Sequence, residues 1–161
     1  MKLLDPKVFF ESVYSEKCAA WPTIVLDFNG VFDQYAGWKG YVQRHPKAPG
    51  IEKFLYELSL EFNTIIVCSA TMPIEKVMDW LYEHRLDKYI DYVTNHKPPA
   101  HVYVDDKAVT HRGNFDETLQ KIRGFKPHWK KDKPGTWVPL GHKGQDRPPK
   151  VADIKINLTS V

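Results

Sequence analysis

The segment Thr23-Ile24-Val25-Leu26-Asp27-Phe28 decides the fold, because it is an unbroken run of β-branched and apolar residues around one carboxylate. A run of this length, without the alternation of a half-exposed strand, is typical of a strand buried on both faces. Similar runs follow at 64–68 (Thr-Ile-Ile-Val-Cys) and at 101–104 (His-Val-Tyr-Val). The sequence therefore predicts these three segments as strands of one sheet.

Helical patterns lie between these strands. Two apolar stripes repeat at i, i+3, i+4 and i+7, the spacing with which a helix lays one face on a core. They consist of Ile51, Phe54, Leu55 and Leu58, and of Ile74, Val77, Met78 and Leu81. Shorter helices are predicted at 7–17 and from Phe115 onward. Alternating strands and helices indicate βαβ units, so we predict an α/β, Rossmann-like three-layer fold, a parallel sheet with helices on both faces.

Length and composition indicate one ordinary globular domain. The 161 residues suffice for a single domain with a sizeable core, and 42% hydrophobic and 27% charged residues are typical of a water-soluble protein. No apolar run approaches the roughly 18 residues of a membrane-spanning helix, so we expect no membrane contact. Cys18 and Cys68 form no CxxC motif, and no secretory leader is apparent. These features predict a cytoplasmic protein.

The sequence predicts three regions. Residues 1–22 hold an N-terminal helix, residues 23–124 form the α/β domain, and residues 125–161 form an irregular tail that packs on the domain or extends from it. Within the domain, residues 30–50 are rich in Gly, Pro and aromatic residues and predict a small flap. The tail is basic, since it holds eight Lys or Arg against three Asp, and its residues 154–158 predict a terminal strand.

Chemically useful side chains follow the predicted strands. Asp27 lies near the end of the first strand, Ser69 follows the second, Asp105 and Asp106 follow the last, and Lys97 lies in the loop before it. A single carboxylate at a strand end is commonly a solvated terminus or a helix cap. The prediction of a site therefore rests on these side chains taken together. Ligands of parallel sheets bind beyond the carboxyl ends of the strands. We therefore expect these side chains to converge.

The predicted cluster suits a cation and a phosphoryl group. Carboxylates from neighbouring strands repel one another unless a cation holds them, and oxygen ligands suit Mg²⁺. Mg²⁺ and Lys97 could neutralise a phosphoryl group, Ser69 could donate a hydrogen bond to it, and Asp27 could attack phosphorus. The histidines show no zinc-site spacing and the chain has no GxGxxG or P-loop sequence. Zinc, dinucleotide and P-loop chemistry are therefore unsupported.

Three segments resemble the four ordered motifs of the haloacid dehalogenase (HAD) superfamily of phosphohydrolases, the third segment covering the last two motifs. They are Ile24-Val25-Leu26-Asp27-Phe28-Asn29-Gly30-Val31, Ile66-Val67-Cys68-Ser69 and Lys97-Pro98-Pro99-Ala100-His101-Val102-Tyr103-Val104-Asp105-Asp106. The resemblance spans about residues 23–124, which it implies are a HAD-like catalytic domain with a flap in place of a cap domain. It does not cover the tail.

The resemblance implies a role for each matching residue. Asp27 is the expected nucleophile, Ser69 the hydroxyl of the second motif, with Thr71 as the other candidate, and Lys97 the cation of the third. The metal ligands would be the carboxylates of Asp27, Asp105 and Asp106 and the main-chain carbonyl of Asn29, and the cofactor Mg²⁺. Substrate contacts would come from Gly30, Ser69, Ala70 and Lys97.

Asn29 departs from the pattern of this superfamily, whose phosphatases usually carry Asp two residues after the nucleophile. An amide cannot donate and recover the proton that acid-base catalysis requires, and such help is worth on the order of 10² to 10⁴ in rate. The protein could be a slow hydrolase limited to good leaving groups, a phosphate-binding relic, or a chain with an introduced substitution. Asp33 or His96 could supply a substitute acid, and Asn29→Asp should raise turnover at least tenfold.

The expected function is that of a Mg²⁺-dependent phosphohydrolase acting through an aspartyl phosphate. A flap in place of a cap leaves the site open, which suits an accessible phosphomonoester on a small molecule, a nucleotide or a nucleic-acid end. The basic tail, with Trp129 and Trp137 among its lysines, could contact nucleic acid. The alternative is a non-catalytic module on the same fold that binds phosphate or nucleic acid.

Overall fold

The computed structural model describes residues 1–3, 22–37, 45–126 and 128. The chain divides into two units, Met1–Lys131 and Asp132–Val161, and all described residues belong to the first. The predicted helix at 7–17, the predicted strand at 154–158 and nearly all of the basic tail lie outside the described residues.

The described residues form a parallel sheet of five strands in the order β1-β4-β3-β2-β5. The strands are β1 (Lys2–Leu3), β2 (Thr23–Asp27), β3 (Thr64–Cys68), β4 (Tyr92–Thr94) and β5 (Val102–Val104). Three α-helices of this part of the chain are α1 (Ile51–Glu61), α2 (Ile74–Glu83) and α3 (Phe115–Gly124). The α/β class is confirmed, and the architecture is consistent with a Rossmann-like three-layer fold.

The longest apolar runs form the centre of the sheet. β2 pairs with β3 along its whole length, and Leu26, Ile66 and Val67 are fully buried. Because successive side chains of a strand point to opposite faces, the burial of consecutive residues at 23–26 and 65–67 means that both faces of the central strands are covered. The burial that the sequence predicted for 23–28 and 64–68 is therefore observed.

Each face of the sheet carries its own apolar cluster. The larger cluster joins the sheet to α1 and α2, and its largest fully buried side chains include Phe28, Phe32, Leu55 and Leu81. The smaller cluster contains Val25 and Ile66, with Cys68, Tyr92 and Ala100 packed against them.

The helices follow the predicted stripes with two differences. In α1, Ile51, Leu55 and Leu58 are buried while Phe54 lies at the edge of the stripe and is exposed. In α2, Trp80 is buried although the predicted stripe omits it. Its indole Nε1 donates to the carbonyl of His45 at 3.0 Å, and this bond satisfies its polar atom within the core.

Helix α3 forms where the sequence predicts it, but none of its residues is buried. Its apolar side chains Phe115, Leu119 and Ile122 are exposed, Phe115 by 81%. The helix begins at a regular cap, in which the side chain of Asn114 accepts hydrogen bonds from the backbone of Asp116 and Glu117. Local capping rather than burial therefore defines its start. Across the described residues, no helix combines the length and apolarity needed to cross a membrane.

Two leucines of α1 test the orientation of this helix. Leu55 is 0% exposed and Leu60 is 70% exposed. We expect Leu55→Ala to lower the free energy of unfolding by about 2–5 kcal/mol, because it leaves a cavity in the core, and Leu60→Ala to change it by less than about 0.5 kcal/mol. Urea unfolding followed by circular dichroism measures both, and equal losses would contradict the described packing.

Candidate active site

The site lies where the order of the strands reverses. The chain passes from β2 to β3 on one side, whereas β5 pairs with β2 on the other side. In open parallel sheets, ligands bind at such a switch point, beyond the carboxyl ends of the strands. Asp27 is the last residue of β2, and Asp105 follows the last residue of β5. The pairing of Leu26 with Val104 makes these two carboxylates neighbours.

The structure brings together the three acids that the sequence singled out. One oxygen from each of Asp27, Asp105 and Asp106 lies within 4.8 Å of the others. The side chain of Asp106 is only 1% exposed, and its Oδ1 lies 3.6 Å from the Nζ of Lys107. Asp105 is exposed, and its Oδ1 accepts a hydrogen bond from the backbone of Lys107 at 2.7 Å. This donor set could hold an oxygen-loving divalent cation.

The pKa of Asp27 reflects this crowding. Burial, and then the negative charge of Asp105, raise the pKa of Asp27 to about 7. The charge of Lys107 opposes this shift, and that of Asp106 adds to it. In the absence of a cation, the carboxyl group of Asp27 is therefore only partly ionised near neutral pH.

Gly30 allows Asp106 to approach the turn after β2. Its φ of +91° lies in the left-handed region, and a Cβ at this position would lie 2.5 Å from Oδ2 of Asp106. Glycine is therefore required at this position for two reasons: the backbone conformation, and the Asp106 side chain that packs against it.

The turn after β3 contributes two hydroxyl groups. The Oγ of Ser69 accepts a hydrogen bond from the backbone of Met72 at 3.1 Å, and Ser69 is buried. The hydroxyl of Thr71 donates to Oδ1 of Asn29 at 3.1 Å. Ser69 therefore fixes the turn that ends β3, while Thr71 orients Asn29. Ala70 is exposed in the same turn.

Two lysines lie near the strand ends. The Nζ of Lys97 lies 4.3 Å from the ring centroid of Tyr103, and its charge partly offsets the raised pKa of the Cys68 thiol, which is caused first by burial and then by Asp27. Lys107 is the cation that acts on Asp27, and its Nζ lies 4.8 Å from the ring centroid of Tyr35. Lys107 is not among the residues predicted from the sequence, although it directly follows Asp105 and Asp106.

The two candidate substitute acids have different environments. Asp33 is 3% exposed, and its carboxylate accepts hydrogen bonds from Nδ2 of Asn29 at 3.0 Å and from the backbone of Gly30 at 2.8 Å. Burial raises the pKa of Asp33, and these hydrogen bonds oppose the rise. His96 is exposed, and its backbone donates to the hydroxyl of Thr94. Of the two, only Asp33 contacts Asn29 in the described part of the chain.

Comparisons with known proteins give a structural neighbour of low similarity. No family model matches the chain, and no curated protein matches it. A solved structure described as the conserved protein coded by locus from Bacteroides thetaiotaomicron is 19% identical. The match covers 65% of this chain and 91% of that chain, with a TM-score of 0.44. At these values it carries no argument about function.

Two glycines of similar backbone conformation test the contact with Asp106. Gly30→Ala adds a methyl group against Asp106, whereas a methyl group added at Gly113, with a φ of +85°, would meet no neighbouring atom within 4 Å. Both substitutions cost about 1 kcal/mol or more from backbone strain, and Gly30→Ala should cost at least about 1 kcal/mol beyond that. Thermal and urea unfolding measure the difference; equal losses would contradict the close approach.

The raised pKa of Asp27 predicts a pH dependence of stability. The pKa of the Asp27 carboxyl is higher in the folded protein than in the unfolded chain, where it is 3.8. Its contribution to stability is therefore fully present at pH values below 3.8 and is lost as the pH rises toward about 7. In EDTA, Asp27→Asn should therefore raise the melting temperature by about 2–4 °C at pH 8 and much less at pH 4. Asp79→Asn, on an exposed face of α2, is the control, and a pH-independent effect of Asp27→Asn would refute the expectation.

Proposed function

We propose that this protein is a Mg²⁺-dependent phosphohydrolase that transfers the phosphoryl group of an accessible phosphomonoester to Asp27. The observation that carries the proposal is the convergence of Asp27, Asp105 and Asp106 at the switch point of a parallel sheet. The resemblance of the sequence motifs to the HAD superfamily supports the same function. Mg²⁺, the reaction and the cytoplasmic location are all parts of this proposal.

The donor set fits Mg²⁺. Three carboxylates crowd one another at the strand ends, and hard oxygen donors with room for water are what this ion prefers. The carboxylates of Asp27, Asp105 and Asp106 and the carbonyl of Asn29 are the proposed ligands. When bound, the ion supplies positive charge that favours ionised Asp27 and offsets the negative charge of the phosphoryl oxygens.

Asp27 acts as the nucleophile in two balanced steps. A carboxylate oxygen forms a bond to phosphorus while the bond from phosphorus to the leaving oxygen breaks, and the leaving oxygen takes a proton from water. A second water molecule then attacks the phosphorus of the aspartyl phosphate, which releases inorganic phosphate and regenerates the Asp27 carboxylate. The acyl phosphate splits one difficult displacement into two easier ones.

The remaining residues bind the phosphoryl group. Because the Oγ of Ser69 already accepts a hydrogen bond from Met72, its hydroxyl proton is left to donate to a phosphoryl oxygen. Lys107, whose charge acts on Asp27, is the first candidate for the neutralising cation. The resemblance implies the same role for Lys97, whose Nζ lies 4.3 Å from the ring centroid of Tyr103.

Asn29 limits the chemistry that this site performs well. Its amide is held by Asp33 and Thr71 and has no proton to give to a leaving oxygen. The rate should therefore depend strongly on the stability of the leaving group without a proton. Phosphomonoesters with acidic leaving groups are the expected good substrates, whether on small molecules or at nucleic-acid ends.

Turnover of an aryl phosphate tests the reaction. We expect hydrolysis with Mg²⁺, loss of hydrolysis in EDTA, and a decrease of about 10³-fold or more in kcat for Asp27→Ala, because no other group takes over the nucleophile's role. Asp79→Asn serves as the surface control. If Mg²⁺ and inorganic phosphate bind but wild type and Asp27→Ala release phosphate equally slowly, the alternative of a phosphate-binding module replaces the enzyme.

A series of aryl phosphates with leaving-group pKa values from about 5 to 10 tests the role of Asn29. Without acid catalysis, kcat/KM should fall by at least about 10²-fold across the series, which is the scale that general-acid help would otherwise recover. Steady-state kinetics at pH 7 with saturating Mg²⁺ provides the measurement. A flat series would mean that another group protonates the leaving oxygen.

A further inference from the structure

The amide of Asn29 lies at the centre of a buried hydrogen-bond network. Its Nδ2 donates to Oδ2 of Asp33 at 3.0 Å, and its Oδ1 accepts from the hydroxyl of Thr71 at 3.1 Å. The other oxygen of Asp33 accepts from the backbone of Gly30 at 2.8 Å. Asn29 is 8% exposed and Asp33 is 3% exposed. Each atom of the amide therefore has a partner of the matching kind.

Asp33 is itself fixed to the opposite end of the flap. It forms an antiparallel bridge with Lys47, and the backbone of its neighbour Gln34 donates to the carbonyl of Pro46 at 2.9 Å. The backbone of Ala48 donates to the carbonyl of Phe32 at 2.8 Å. A carboxylate on a backbone held in this way is a rigid acceptor, and rigid outer groups orient the groups that contact a ligand.

Contacts run from Asp33 to the acidic cluster. Asp33 holds the backbone N–H of Gly30, and Gly30 lies against the side chain of Asp106, where a Cβ would be 2.5 Å from Oδ2. Asn29 and Gly30 directly follow Asp27 and Phe28 in the chain. Asp33 thus holds the turn that follows Asp27 and against which Asp106 packs.

We propose that Asp33 is a positioning residue of this site, and that position 29 is an amide because the group it faces is the Asp33 carboxylate. The catalytic meaning of this inference rests on the proposed function, but the pairing of the two side chains does not. Asp33 touches Asn29 and Gly30 and acts through them on the placement of Asp27 and Asp106.

The pairing changes what a single substitution at position 29 does. Asn29→Asp places one carboxyl group opposite another at a distance near 3.0 Å and removes the amide donor, so the buried pair either carries two like charges or must bind a proton, and both are costly at alkaline pH. Adding Asp33→Asn restores the pair in reversed order, since the new amide can donate to position 29 and accept from Gly30. The gain in turnover expected from an acid at position 29 therefore requires both changes.

A double-mutant cycle of Asn29→Asp and Asp33→Asn tests the pairing. At pH 8 in EDTA, we expect Asn29→Asp alone to lower the melting temperature by about 4 °C or more, and the double variant to recover at least half of that loss. Asn63→Asp, which adds the same charge at an exposed position, is the matched control. A double variant no more stable than Asn29→Asp would overturn the proposal.

Mg²⁺ affinity distinguishes positioning from a purely structural role. Asp33→Ala leaves the Asn29 amide and the Gly30 N–H without their acceptor, so we expect its Mg²⁺ dissociation constant to rise about tenfold or more, as for other groups that orient metal ligands. Isothermal titration calorimetry at a temperature where circular dichroism shows a folded variant measures it. An unchanged dissociation constant would overturn the positioning role of Asp33. If the wild-type protein binds no Mg²⁺, the proposed function is refuted instead, and the pairing of Asn29 with Asp33 is then tested by the unfolding measurements alone.

Discussion

The central constraint on this structure is that three carboxyl groups lie close together at the ends of two parallel strands, although their negative charges repel one another. Pairing of β2 with β5 forces Asp27 and Asp105 to the same edge of the sheet, and burial of Asp106 adds a third negative group. Hydrophobic burial of the central strands keeps them there, because moving the acids apart would expose Leu26 and Val25. The core thus maintains a charge arrangement that is unfavourable without a cation.

Much of the fold was predictable because its central elements are long enough to show a pattern. β2 and β3 are unbroken apolar runs, and α1 and α2 carry stripes at helical spacing. β1 and β4 were missed, since strands of two and three residues have no period to detect; β5 is equally short, but its Val-Tyr-Val residues are strong strand formers. Each is a strand only because its backbone pairs with a neighbour, and pairing is a property of the whole sheet.

The candidate site was predictable in its residue types and less so in its contacts. Strand ends meet at one edge of a parallel sheet, so the convergence of the acids followed from their positions in the sequence. Lys107, whose charge lowers the pKa of Asp27, lies in the irregular segment after β5, where no periodicity indicates which way a side chain points. The bond between Asn29 and Asp33 arises in an irregular turn, where no periodicity relates the two residues.

The bridge between Asp33 and Lys47 closes the two ends of the flap on each other. Backbone hydrogen bonds at this bridge hold both ends of the flap, and they do not depend on the sequence between those ends. Lengthening a loop with fixed ends adds little entropic cost, since that cost grows only with the logarithm of its length. Descendants of this chain could therefore lengthen or exchange the flap, while the turn that contains Asn29 and Gly30 keeps the bonds that hold it.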